Sequence, residues 1–211
     1  MKIVILAVLS GAAIGTASAA AELATPSREL LAMTPADFAK SASVKDDALE
    51  LLATITTEPG YQERHGLLRI VWSDVFLRAF VDKKSGVATY QLYQRIVYGG
   101  RYYRYFESVN IETPAGPRAI ATINLGRTER CSRAQLTGGC VRTEDLAVPV
   151  DAALLKAIAA SYAPGADTAW HFRFKAQTGE DFDGVIVPAE VAGLLAAVAD
   201  YRRGHGLGGG S

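Results

Sequence analysis

Between Trp170 and Lys175 apolar and polar side chains alternate without a break, with Trp170, Phe172 and Phe174 on one face and His171, Arg173 and Lys175 on the other. A two-residue period belongs to a β-strand with one dry and one wet face, and this is the clearest strand in the chain. From Ala48 onward the residues are the Thr, Ile, Val, Tyr and Phe that suit a pleated surface. Turn signals punctuate them at Glu58-Pro59-Gly60, Lys84-Ser85-Gly86, Gly99-Gly100, residues 114–117 and Gly138-Gly139. Runs broken in this way predict an antiparallel β-meander of about six to seven strands. One stretch is ambiguous: Val75, Phe76, Ala79 and Phe80 recur at helical spacing after Ser73, yet read equally as a strand apolar on both faces. Its β-rich neighbours favour a strand, and a central one.

After Val148 the period lengthens. Asp151 is placed to cap a helix whose stripe is Leu154, Leu155 and Ile158 and whose end is Pro164-Gly165. A second helix starts at Pro188, carries Glu190 in its first turn and ends with Arg202 and Arg203, charges that complement its dipole. Val187, Val191, Leu194, Leu195 and Val198 form its buried stripe. The expected fold class is therefore α+β: the meander with these two C-terminal helices packed on one face.

The N-terminus changes the picture of where this domain lies. Residues 1–20 have a lysine, an apolar run from Ile3 to Ile14 and an Ala17-Ser18-Ala19 cleavage pattern, which read as a secretory signal peptide. The run is too short to span a bilayer, so no stable membrane anchor is expected. Residues 21–47 read as a peripheral leader with one short helix at Thr34-Pro35-Ala36-Asp37, 48–203 as a single α+β domain, and 204–211 as a disordered Gly-rich tail. The expectation is a soluble bacterial protein, periplasmic or secreted, in a compartment that permits disulfides.

Charge and motifs narrow the function only by exclusion. Acidic and basic residues balance at 22 each, which does not favour nucleic acid as a partner. There is no GxSxG elbow, HExxH helix, phosphate loop or dinucleotide fingerprint, so no catalytic residue, metal or cofactor is assigned. Glu180, Asp181 and Asp183 read as a solvated turn, because a calcium loop needs more oxygen ligands in a set order. A hairpin turning at Gly99-Gly100 would set Arg95 opposite Arg104, flanked by the pairs Tyr93/Phe106 and Val97/Tyr102. Facing arginines are unfavourable unless an anion or an acid sits between them, and His171, Arg173 and Lys175 could extend that surface. The duller account is a wet sheet face whose arginines are paired with nearby acids.

The resulting expectation is a non-enzymatic module that binds a small anion, an envelope component or a protein partner through its sheet face. A hydrolase assembled from scattered residues such as Ser73, Asp74 and His171 is the first alternative, and a structural or assembly partner in the envelope the second.

Cys131 and Cys140 are the chain's two cysteines. If they face each other across a hairpin, paired positions set Glu129 against Arg142, Arg127 against Glu144, Leu125 against Leu146 and Ile123 against Val148. Opposite charges then meet in two successive pairs on the cysteine face, which points to a disulfide that fixes the register rather than to a redox centre.

Overall fold

The computed structural model describes residues 23–65, 70–71, 73–131 and 140–208. The signal-peptide reading of 1–20 and the last three residues of the tail lie outside that set.

The long strand β6 (Ala88–Gly100) organises the molecule. Tyr90, Leu92, Gln94, Ile96 and Tyr98 alternate onto its buried face. β6 lies between β5 (Asp74–Asp82) and β10 (Cys140–Val150). With β1 (Ser43–Lys45), β2 (Leu52–Thr56) and β9 (Ile123–Arg130) they form a six-stranded antiparallel sheet of order β1-β2-β5-β6-β10-β9. The ambiguous segment is thus strand β5, inside the sheet as its two-sided apolar pattern suggested.

A second sheet has the order β12-β11-β7-β8, from β7 (Phe106–Ile111), β8 (Arg118–Ala121), β11 (Trp170–Ala176) and β12 (Phe182–Ile186). β3 (Arg64–His65) and β4 (Ile70–Val71) pair separately. Helices α3 (Ala152–Ala160) and α4 (Pro188–Gly204) contribute Leu154, Leu155, Ile158, Val191, Leu194 and Val198 to one core. That core also holds Leu77, Leu92, Ile96, Phe106, Phe172 and Phe174 from both sheets. The fold is mixed α+β, with antiparallel sheets and no closed barrel.

The expected meander differs from this at one point with large consequences. Gly99-Gly100 ends β6 instead of turning a hairpin, and residues 101–105 carry the chain out of the large sheet to start the second one. Tyr105 makes the bend at φ 53°, a conformation costly for a residue with a Cβ. Buried Glu144 holds it there. Its Oε1 accepts from the amides of Arg104 and Tyr105, both at 3.2 Å, and from the Tyr98 hydroxyl at 2.6 Å, while Oε2 accepts from Arg127 Nε at 2.8 Å.

The cysteine hairpin follows the charge pairing and then departs from it. Cys131 and Cys140 are disulfide-bonded, Arg142 faces Glu129, and Glu144 faces Arg127, with ion pairs of 2.7 and 2.8 Å. Beyond Asp145 a bulge shifts the register by one residue, so Leu146 meets Asn124 and Ala147 meets Ile123. β9 is an edge strand, where bulges are common; the bulge leaves Leu125 and Ile123 exposed instead of pairing them with Leu146 and Val148.

Residues 28–41 and 204–208 are more integrated than their composition suggests. The leader forms two helices, α1 (Arg28–Ala32) and α2 (Pro35–Ser41), and Thr34 and Asp37 make the expected capping box. Phe38 of α2 is fully buried with Val187 and Ala189. A Cβ on Gly193 would come within 2.4 Å of Phe38 Cβ, so glycine is what lets α2 and α4 touch. At the other end, the His205 ring stacks on Tyr201 at 4.1 Å and Leu207 packs against the core. Residues 204–208, expected to be disordered, are therefore held by the one aromatic-type ring and the one leucine among the glycines. Asp151 precedes α3 but makes no side-chain cap; its carboxylate pairs with Arg118 at 2.6 Å.

Candidate functional site

The residues nominated by the sequence do not converge. Arg95 lies between Asp74 and Asp145 on the neighbouring strands and donates from Nε to Asp145 at 2.8 Å. Arg104, on the 101–105 crossing, donates to Glu180 at 3.1 Å and lies over the Tyr98 ring at 4.4 Å. The two arginines do not face each other, because the turn that would have paired them does not exist. β11 belongs to the other sheet, and its polar row is also neutralised: His171 meets Glu112 at 3.4 Å, Arg173 meets Asp183 at 2.5 Å, and Lys175 meets Asp181. Glu180, Asp181 and Asp183, at the connection from β11 into β12, are thus the partners of Arg104, Lys175 and Arg173.

Ser73, Asp74 and His171 make no hydrogen bond to one another in the described structure: Ser73 Oγ accepts from the Val97 amide, and His171 is held by Glu112. Glu129 lies close to both cysteines, but disulfide sulfurs are not available as thiolate ligands.

A different constellation surrounds a cavity of about 170 Å³. Its walls come from distant parts of the chain: Ala24 to Ser27 of the N-terminal arm, Tyr61 and Glu63, Ser73 to Val75 at the start of β5, Gln94 of β6, Phe182 to Val185 of β12, and Glu190 of α4. The arm is fixed by a 2.7 Å hydrogen bond between the Ser27 and Tyr61 hydroxyls. In β12, Gly184 lies opposite Phe172, and a Cβ there would sit 2.1 Å from the Phe172 ring; the bare backbone becomes part of the wall.

Glu190 is 4% exposed and accepts from the Thr57 hydroxyl at 2.5 Å. Burial pushes its carboxyl up to about 8, helped by the charge of Asp74 and opposed by the hydrogen bonds from Thr57 and the Leu77 amide. Asp74 is raised to about 6, first by burial and then by Glu58, against the Val75 amide and Arg95. At neutral pH, of these two carboxyls on the wall, Glu190 is thus mostly protonated and Asp74 mostly ionised.

Gln94 is 3% exposed, and its Nε2 donates to the carbonyls of Asp74 and Arg95 at 3.0 and 2.9 Å. Two carbonyl acceptors fix which end of the amide is nitrogen. The oxygen, Oε1, is buried and has no hydrogen-bond partner among the described residues.

This arrangement sets two carboxyls that hold their protons above the usual carboxylate range beside a small cavity. Sequence reading missed it because Glu190 looked like an ordinary first-turn acid and Gln94 like one position in a strand. No known protein family, curated protein or solved structure matches the chain.

Proposed function

We propose that the protein is an exported, non-enzymatic binding module whose ligand sits in the cavity under the N-terminal arm. The observation that carries this reading is the cavity itself, whose wall is drawn from the arm, both sheets and the buried Glu190 of α4. A volume of about 170 Å³ suits a compact small molecule or group, since a cavity of about 150 Å³ accommodates benzene. Choosing the cavity over the sheet face rests on Arg95, Arg104 and Arg173 already having carboxylate partners.

Export to the periplasm or the medium is part of the proposal. It is supported by the Cys131–Cys140 disulfide, which suits an oxidising compartment. Among the described residues, no helix is long and apolar enough to cross a membrane.

Native mass spectrometry of protein purified from its own compartment tests the reading. The expected spectrum shows the chain with a small molecule retained, and an Ala24→Trp variant, which blocks the arm side of the cavity, loses it. A bare chain in both samples, or equal retention in both, overturns the cavity as the seat.

A further inference from the structure

The word Arg-Thr-Glu occurs twice in the chain, at 127–129 in β9 and at 142–144 in β10. Inside the molecule the two copies pair antiparallel: Arg142 faces Glu129, Thr143 faces Thr128, and Glu144 faces Arg127. An arginine and a glutamate two positions apart lie on one face of a strand. Such a word therefore meets its own reverse with opposite charges in register.

β10 is paired on both sides, by β6 and β9, whereas β9 ends the sheet. A strand in that place offers unpaired amides and carbonyls to another chain. β9 is also the longest described edge strand of the two larger sheets, with eight residues against three in β1, four in β8 and five in β12. Arg127, Thr128 and Glu129 are exposed on it, as are Ile123 and Leu125. The bulge at Leu125 leaves 126–130 as its regularly paired part.

We propose that β9 is a dimerisation edge whose occupant is β9 of a second copy of this chain, antiparallel across a two-fold axis at Thr128. Each contact is then made twice, and Arg127 of either copy faces Glu129 of the other. The row across both copies reads Arg142, Glu129, Arg127, Glu144, alternating in sign throughout. Moving the axis one residue either way sets Arg127 against Arg127 or Glu129 against Glu129, which is unfavourable; charge thus selects the register. Arg127 bonds Glu144 through Nε, and Glu129 bonds Arg142 through Oε2. A guanidinium and a carboxylate each have more than one hydrogen-bonding atom, so both can serve a second partner. The Tyr105 and Tyr103 rings lie against Arg127 and Arg142 at 4.7 and 5.1 Å, which holds these cations in place before association. Gly126, where an added Cβ would meet nothing within 4 Å, faces Arg130 of the second copy and leaves it room.

Sedimentation equilibrium of the whole protein, purified with its disulfide formed, tests this. The wild type is expected to show a reversible monomer–dimer equilibrium. Thr128→Lys and Thr128→Glu each set like charges together at the axis and should weaken the dimer at least about tenfold. An equimolar mixture of the two variants should restore it, because lysine then faces glutamate. A wild-type chain still monomeric at about 1 mM, the range of a very weak association, overturns the proposal. So does a dimer that neither variant weakens, or a mixture that associates no more tightly than the variants alone. The wild-type measurement stands even where a variant does not fold.

Discussion

Glu190 carries two obligations at once: it opens a helix, where a negative charge is welcome, and it is buried, where a negative charge is not. Burial wins, and the carboxyl keeps its proton to about 8. In an unfolded chain it would titrate near 4.5. Between those values the native state holds the proton and the unfolded state does not, so stability falls as pH rises from about 4.5 to about 8 and is level outside that window. Asp74 acts in the same sense between 3.8 and about 6. Glu190→Gln removes the larger contribution. Urea midpoints at pH 5 and pH 8 should therefore differ less in the variant than in the wild type, by an amount worth a few kcal/mol; equal slopes in the two proteins would show that Glu190 is not buried as a carboxylic acid. None of this was legible locally, because Thr57, which bonds to Glu190, lies 133 positions away. An exposed first-turn glutamate and a buried one are spelled alike.

Elements were legible to the extent that their cause was local. The alternation of 170–175, the cap at Thr34, the start of α4 at Pro188 and the charge matching of 127–129 with 142–144 all depend on neighbours in sequence or on one hairpin, and all appear in the fold. The failures share a different cause. Gly99-Gly100 is a sound turn signal, but the 101–105 crossing is set by Glu144, which gathers amides and side chains from other elements. The register slip in β9 likewise answers to its place at the sheet edge, which the pairing of charges cannot reveal. The hairpin itself makes a clean prediction. Closing its ten-residue loop stabilises by roughly 2.5 to 3 kcal/mol in the chain-entropy model. Reductant, or the double change Cys131→Ser and Cys140→Ser, should lower the melting temperature by several degrees; an unchanged temperature would mean the bond constrains nothing.

At the scale of the molecule, the described parts of the expected leader and tail make contacts with the domain between them. β1 pairs with β2, Phe38 is locked against α4, Tyr201 donates to Asp46 at 2.7 Å, and Leu207 reaches the core. Phe38→Ala should cost about 3–5 kcal/mol and shift a single unfolding transition read by both fluorescence and circular dichroism. A midpoint left in place, or a separate early transition, would restore the leader to the status of an appendage. The anion-clamp expectation fails at this scale too: pairing Arg95 with Arg104 assumed that sequence neighbours stay in one sheet, and the chain divides between two.

The arm over the cavity and the α2–α4 contact also set a schedule. Ser27 waits for Tyr61, Asp46 for Tyr201, and Phe38 for Gly193, the last two separated by more than 150 positions. Contacts so distant in sequence form late, since the loop they close must be ordered before it is rewarded. The first segment to leave the ribosome therefore cannot finish folding until α4 has followed it. A chain built in this way stays open until α4 has emerged, and the cavity under the arm is completed last.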